Sequence, residues 1–187
     1  SFIGGGAGNK LCGNITTTNT YQNTDYGVIG GGYSNQILGS APHAVVAGGC
    51  NNTITGGILG CQIQSKNSSI GGGCYNQISN ALSSFIGGGE SNTLYYTSWS
   101  TIGCSSNYYY RAKYSTIIGG ECNVISKSNC GVITGGTRNC ICSTGYGNAI
   151  LGGTSNYISG GSNSALLGYN NQMAHSYSNV FGTNLLS

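Results

Sequence analysis

The chain has 187 residues, a length that suits a single domain, and a formal net charge of +3. Only 5% of its residues are charged, 38% are hydrophobic and 35 are glycine, with a single proline. This composition excludes a charge-solvated disordered chain, and glycine without a three-residue period excludes collagen. No apolar run approaches the length of about 18 residues that a membrane helix needs, so the sequence predicts no membrane span.

One motif recurs along the whole chain: an aliphatic residue, two or three glycines, two free positions, Asn, one free position and a second aliphatic residue. Clear copies stand at 3–11, 29–37, 46–54, 70–78 and 86–94. Looser copies follow at 101–109 (with Thr101 in the first position), 117–125, 133–141 and 150–158, and a shortened copy lies near 166–173. The Asn residues of successive copies are about 16 residues apart, except for two longer spacings that mark insertions.

A unit of about 16 residues is too short for a helix pair or a propeller blade, but it suits one coil of a parallel β-solenoid. Alternate residues of a strand face the same side, so each coil contributes two β-branched or leucine side chains to the interior. The first inward column is Ile29, Val46, Ile70, Ile86, Ile117, Ile133 and Ile150, and the second is Ile37, Ile54, Ile78, Leu94, Ile125, Ile141 and Ile158. We therefore expect an all-β fold: one left-handed parallel β-solenoid (β-roll) domain over 1–187, a rod about 50 Å long.

The Asn of each copy predicts a further column. Stacked side-chain amides can hydrogen-bond to the coils above and below, and Asn also tolerates the left-handed backbone of a turn. Both roles are structural and they are compatible. The predicted ladder consists of Asn9, Asn35, Asn52, Asn76, Asn92, Asn107, Asn123, Asn139, Asn156 and Asn171.

The nine cysteines suggest an oxidised protein, and their odd number implies a free thiol or an inter-chain bond. Cys50 and Cys74 both stand two residues before the Asn of successive copies. A disulfide can join them if the residues between are looped out, but not if 57–64 forms a coil of its own. Cys140 and Cys142 alone are too few ligands for zinc, and we expect neither a metal nor a cofactor.

Two carboxylates share the same position in the repeat. Glu90 and Glu121 lie two coils apart, which places them roughly 10 Å from each other. This is at the wide edge of the spacing of about 6.5–9.5 Å in inverting glycosidases. No other carboxylate is near them in the sequence, so we expect solvated turn residues and a protein that is not an enzyme.

An aromatic and basic cluster covers Tyr108, Tyr109, Tyr110, Arg111 and Lys113. Tyrosines on a flat rod can stack on sugars, so the three tyrosines are candidate glycan contacts. Basic and aromatic residues together can also hold single-stranded nucleic acid. The sequence shows no wider basic stripe, and we therefore expect no nucleic-acid partner.

Three N-glycosylation sequons begin at Asn14, Asn51 and Asn67. In a chain so rich in Asn, Ser and Thr, such triplets also arise by chance. They make these residues possible glycan attachment points in an extracellular protein.

The segments at 84–89 (SFIGGG) and 115–120 (STIIGG) resemble the Ser-x-aliphatic-Gly repeats of trimeric autotransporter adhesin heads. They are equally similar to the Ile-Gly-Gly-Gly-x-x-Asn-x-Ile arrays of fibre and surface proteins of phages and large viruses. The resemblance covers nearly the whole chain, and it implies a β-roll, often trimeric, that binds surface ligands or acts as a spacer. The longer unit and the nine cysteines depart from the adhesin pattern.

Together these features predict a structural fibre or filament protein that is extracellular, at the cell surface or on a virion. Its partner is itself, either end to end in a filament or as a homotrimer. The alternative is an adhesin or receptor-binding fibre head that recognises cell-surface carbohydrate. Ser1 opens directly on a repeat and 180–182 still follow the pattern, so we expect either a processed subunit or a segment of a longer fibre.

Overall fold

The computed structural model describes residues 1–13, 24–57 and 64–187. Within these ranges every regular element is a β-strand, and the strands form two parallel sheets of 11 and 10 strands. The chain alternates between the two sheets, so each coil adds one strand to each sheet, except that the last coil adds a strand to the first sheet only. The predicted all-β parallel solenoid with coils of about 16 residues is confirmed, while its handedness stays a prediction.

The first sheet contains the strands that open each coil. They are β1 (Phe2–Ile3), β3 (Val28–Ile29), β5 (Val45–Val46), β7 (Ser69–Ile70), β9 (Phe85–Ile86), β11 (Thr101–Ile102), β13 (Thr116–Ile117), β15 (Val132–Ile133), β17 (Ala149–Thr154), β19 (Ala165–Tyr169) and β21 (Asn179–Thr183). The second sheet contains the strands that follow each repeat Asn. They are β2 (Lys10–Cys12), β4 (Gln36–Leu38), β6 (Thr53–Thr55), β8 (Gln77–Ser79), β10 (Thr93–Tyr95), β12 (Tyr108–Tyr110), β14 (Val124–Ser126), β16 (Cys140–Ile141), β18 (Tyr157–Ile158) and β20 (Gln172–Met173).

The two predicted aliphatic columns form the core. Ile86 pairs in register with Ile70, and Leu94 pairs in register with Ile78. All four side chains are fully buried. Burying an aliphatic side chain of this size stabilises a fold by about 1.5–3 kcal/mol, so the repeated columns are the main source of stability.

One copy of the motif is displaced by a residue from its predicted position. The spacing back from Asn107 predicts Thr101 at the first aliphatic position, and this is wrong. Ile102 occupies that position, pairs with Ile117 and is fully buried, because the turn before Asn107 is one residue shorter than its neighbours. The copy that ends at Met173 is shortened in the same way.

Each coil has four sides. Besides the two sheets, single β-bridges join successive coils on both remaining sides, as at Cys74 with Glu90 and at Ser98 with Lys113. The bends between the sides fall at residues in the left-handed region, among them Tyr96 with φ 52° and Trp99 with φ 51°. Since left-handed non-glycine residues are uncommon, their recurrence shows that the stacking of coils imposes the bends.

The last glycine of the motif is required by both conformation and space. Gly73 has φ 81° and Gly89 has φ 88°, a backbone that residues with a side chain rarely adopt. A Cβ on Gly73 would also overlap the carbonyl oxygen of Gly89 in the next coil. This position therefore admits the close approach of stacked turns.

A second column of buried polar residues lies just before the strands of the first sheet. The spacing of the repeat Asn residues does not predict it. Ser84, Ser100 and Ser115 each precede the opening strand of a coil, and all three are buried. The Ser100 hydroxyl lies within hydrogen-bond distance of two carbonyl oxygens to which it can donate, those of Ser98 at 3.2 Å and Ala112 at 3.3 Å. In the sequence, this column is marked by the serine that recurs two residues before the inward aliphatic residue. The short serine side chain keeps its hydroxyl within reach of backbone carbonyl groups.

Candidate functional site: a basic and aromatic face

All ten predicted Asn residues lie in one column. From Asn35 to Asn171, each backbone N–H donates to the Oδ1 of the preceding Asn at 2.9–3.2 Å. Direct amide-to-amide bonds occur at four of these steps. The ladder is thus held mainly by side chain to backbone bonds, and its amides are occupied within the fold.

The side-chain nitrogens of the ladder bind the glycine turns. Asn52 Nδ2 donates to the carbonyl oxygen of Gly48 at 3.0 Å and to that of Gly73, in the next coil, at 2.8 Å. Each such amide therefore joins its own turn to the turn stacked on it.

Cys50 and Cys74 form a disulfide, with their Cα atoms 4.7 Å apart. Strands β6 and β8 pair directly, so the coils that carry Cys50 and Cys74 are neighbours in the second sheet. Most of the segment 57–64, for which a coil of its own was the alternative, lies outside the described residues. Cys140 and Cys142 form a second disulfide, which was not predicted. The free, exposed thiols among the described residues are Cys12, Cys104, Cys122 and Cys130.

The predicted sequons differ in their surroundings. Asn14 lies outside the described residues. Asn67 is exposed, with φ 55°, whereas Asn51 is half-buried, with φ 52°. Both described residues stand at bends of the coil.

Glu90 and Glu121 are exposed on the side that carries the bridges from Cys50 to Cys74 and from Cys74 to Glu90. The Glu90 N–H donates to the Ser105 hydroxyl at 3.3 Å, so the intervening coil lies between the two glutamates as the spacing predicts. Among the described residues, no three His, Cys, Asp or Glu side chains come together as a metal would require.

The tyrosine cluster is divided between surface and core. Tyr108 is 41% exposed and Tyr110 is half-buried, but Tyr109 is fully buried in the second aliphatic column. Its hydroxyl donates to the Thr101 carbonyl oxygen at 3.0 Å. Burial raises the pKa of the Tyr109 phenol well above its usual value, against a smaller lowering by the Ile117 backbone. Tyr109 therefore cannot contact a glycan, contrary to the prediction, because it holds the position that Leu or Ile takes in other coils.

Most of the positive charge lies on the side of the coil that leads from the second sheet back to the first, the side of the bridge between Ser98 and Lys113. Four of the six basic residues lie on it or at its bend, and we call this surface the basic face: Lys66, Arg111, Lys113 and Lys127. All four are exposed. The third carboxylate, Asp25, lies in the column of Lys66, while Glu90 and Glu121 occupy the opposite side, where Arg138 is the neighbour of Glu121. The basic face therefore keeps a net positive charge and the opposite side a net negative one.

Aromatic rings border the basic face on both sides. Trp99 and Tyr114 stack at the bend next to the first sheet, with ring centroids 4.9 Å apart and an angle of 1° between the ring planes. At the other bend Tyr95 packs edge-on against Tyr96 at 4.4 Å. Trp99 and Tyr114 belong to consecutive coils, and so do Tyr95 and Tyr110, whose rings stack with centroids 5.9 Å apart, so the rings form rows along the rod.

The rings enclose a groove of about 360 Å³ on the basic face. Leu82 and Ser98 form its floor, and Tyr96 and Trp99 stand on its two sides. Lys66 and Lys113 also line it; they lie in one column, three coils or roughly 14 Å apart. The groove can therefore receive an elongated anionic ligand. Sequence reasoning found Arg111 and Lys113 but missed Lys66 and Trp99, because only the stacking of coils brings them together.

A scan of the sequence against protein-family models gives no match. A search of curated proteins gives no match either. Among the described residues, no helix has the length and hydrophobicity needed to cross a membrane.

Proposed function

We propose that this protein is a structural β-solenoid rod of an extracellular or virion-surface fibre. The observation that carries the proposal is the unbroken Asn ladder, which joins each coil to the next from Asn9 to Asn171. The hydrogen bonds of both sheets also run from coil to coil along the rod. A force along the rod is therefore shared among many parallel bonds at every coil.

Two further features support this role. The disulfide between Cys50 and Cys74 joins adjacent coils, and disulfides persist in oxidising environments outside the cytosol. Among the described residues, the outermost strands β1 and β21 each pair on one side only. An unpaired strand edge is a template for another strand, so coils of a second subunit can continue the stack.

Electron microscopy of the purified chain tests the fibre. We expect rods that lengthen with protein concentration and a fibre-diffraction repeat of about 4.8 Å along the rod. Leu186→Lys places a charge on the last described coil and should shorten the rods, whereas Tyr146→Lys, at an exposed residue of an inner coil, should not. Particles that stay one solenoid long at every concentration would refute end-to-end assembly.

A second candidate function is the binding of an acidic carbohydrate. The groove favours it, because lysines stand at both ends and aromatic rings on both sides. Sugar rings pack on aromatic faces, and carboxylate or sulfate groups would pair with Lys66 and Lys113. This proposal replaces the tyrosine cluster by the groove as the site of contact.

The single tryptophan of the chain makes this site directly observable. Titration with a sulfated oligosaccharide should change Trp99 fluorescence, and a neutral oligosaccharide should not. Lys66→Gln with Lys113→Gln should abolish the change, while Lys10→Gln with Arg138→Gln removes the same charge elsewhere and should leave it intact. An equal response to single-stranded DNA would indicate a general polyanion site and refute specificity for carbohydrate.

A further inference from the structure

The outward face of the first sheet is uncharged along the entire rod. Each opening strand presents one residue before its inward aliphatic residue and one after it. The residues before are Phe2, Val28, Val45, Ser69, Phe85, Thr101, Thr116, Val132, Ala149, Ala165 and Asn179. The residues after are Gly4, Gly30, Ala47, Gly71, Gly87, Gly103, Ile118, Thr134, Leu151, Leu167 and Phe181.

The second of these columns changes character halfway along the rod. In the first six coils it is glycine or alanine, so the face has a trench there. In the last five coils it is a ridge formed by Ile118, Thr134, Leu151, Leu167 and Phe181. The four apolar ridge residues are 40–59% exposed. Isolated exposed apolar residues are ordinary, but an aligned row of them marks a binding surface.

We propose that this face binds a second copy of the chain in an antiparallel, two-fold symmetric pair, with the ridge of each copy in the trench of the other. A two-fold interface needs a surface that is complementary to itself. The trench and the ridge lie in one column and are nearly equal in length, which meets that requirement only when the two rods run in opposite directions. This lateral pairing is separate from the end-to-end stacking proposed above.

The register follows from the point where glycine gives way to isoleucine. The two-fold axis passes between Gly103 and Ile118, so Ile118 of each copy faces Gly103 of the other. Moving outward coil by coil, Leu151 then faces Gly71, and Phe181 reaches the trench near its far end. A parallel pair would instead set ridge against ridge and trench against trench.

Area and charge agree with a pair of this kind. A face of about 50 Å by 10 Å buries roughly 500 Å² on each copy, or about 1,000 Å² in total. That is the lower bound for a specific interface with good complementarity. Since neither column contains a charged residue, no ionised side chain of either column has to lose its water when the faces meet.

Sedimentation equilibrium in a Leu186→Lys background separates lateral pairing from end-to-end growth. We expect a dimer in that background. Leu151→Ser with Leu167→Ser should weaken it by about tenfold for each leucine, whereas Tyr157→Ser, an equally exposed change on the second sheet, should not. A monomer in the parent background, or equal effects of the two sets of variants, would overturn the proposal.

The trench can be tested by filling it. A Cβ on Gly87 meets its nearest neighbour, the Phe85 ring, at 3.6 Å, an ordinary contact distance, so this position is not closed to a side chain by the solenoid backbone. Gly87→Leu should therefore dissociate the dimer while the circular dichroism spectrum stays unchanged. A Gly87→Leu protein that remains fully dimeric would show that the trench is not occupied.

Cross-linking with a short bis-maleimide determines the orientation. In a Cys104→Ser background, Ile118→Cys residues of an antiparallel pair lie about one coil apart along the rod and should link. Phe181→Cys residues lie roughly 43 Å apart along the rod and should not link. Mass mapping identifies the linked peptides, so the remaining thiols do not confuse the result. Links at both positions, or at Phe181→Cys alone, would refute the antiparallel arrangement.

Discussion

Replacing Asn92 by Ala tests whether the ladder stabilises the rod. Asn92 is fully buried, its Oδ1 accepts the Asn107 N–H at 3.0 Å, and its Nδ2 donates to Asn76 Oδ1 and to the Gly88 carbonyl oxygen, both at 2.9 Å. The backbone N–H of residue 92 still bonds to Asn76 in the variant, because that bond does not involve the side chain. The substitution therefore removes the partner of one buried N–H and one donor to a turn carbonyl.

An unsatisfied buried polar group costs about 1–3 kcal/mol. The Asn107 N–H contributes most of the loss because Asn107 is itself 1% exposed and water cannot replace the bond. The half-buried Gly88 carbonyl oxygen also loses its donor, which adds a smaller cost. We therefore expect Asn92→Ala to lower the free energy of unfolding by about 3 kcal/mol. A loss of this size is a large fraction of the total stability of an ordinary domain.

Asn9→Ala is the matched control. Asn9 Oδ1 likewise accepts the Asn35 N–H, and its Nδ2 donates to the Gly5 carbonyl oxygen and, in place of a preceding Asn, to that of Gly32, but Asn9 is half-exposed in the first coil. Water can replace its partners, so its loss should cost about 1 kcal/mol.

Urea titration with the disulfides intact measures both losses in the free energy of unfolding. Amide exchange at Asn107 gives a local readout, because its protection should fall in Asn92→Ala. Equal losses for the two variants, or unchanged protection of Asn107, would refute the reasoning.

Three other predictions concern separate features of the rod. Replacing Cys50 and Cys74 by Ser removes a disulfide between residues 24 positions apart. The chain-entropy model predicts that the free energy of unfolding falls by about 3.5 kcal/mol, which urea titration measures. An unchanged free energy of unfolding would contradict this prediction. Burial raises the Tyr109 pKa in the folded state, so above the ordinary value of about 10 the unfolded chain releases its proton first and stability falls as pH rises. In protein with blocked thiols, Tyr109 should lower the free energy of unfolding by up to about 1.4 kcal/mol per pH unit. Tyr109→Phe should make the dependence of this free energy on pH less steep. An identical dependence in the variant would show that Tyr109 is not responsible. Gly73→Ala should lower the melting temperature, since its Cβ would overlap the next coil, whereas Gly88→Ala has open space; equal melting temperatures would contradict the packing.

The core was predictable because its signal is local and repeated. Ile86 and Leu94 stand at fixed distances from Asn92, and every coil meets the same neighbours, so one coil predicts the rest. Prediction failed where the spacing changed by a residue. The shortened turn before Asn107 moved Ile102, not Thr101, into the core, and Tyr109 took a buried position that its type does not suggest.

The basic face could not be predicted in the same way. Lys66 and Lys113 are separated by 47 positions in the numbering, yet they line one groove because they occupy the same position in coils three apart. Their alignment depends on how many residues each coil contains. That number varies from coil to coil, and no property of Lys66 itself reveals it.

By itself, the sequence determined the parallel solenoid, its two aliphatic columns and the Asn ladder, because backbone periodicity and burial act within each repeat. Only the tertiary structure decided which surface residues are neighbours, because surface positions vary freely between coils and only stacking brings them together. Stacking aligned four cations with the aromatic rows, and it divided one column into a glycine trench and an aliphatic ridge at Ile118. It also joined Cys50 to Cys74 across an insertion whose coil count the sequence left open.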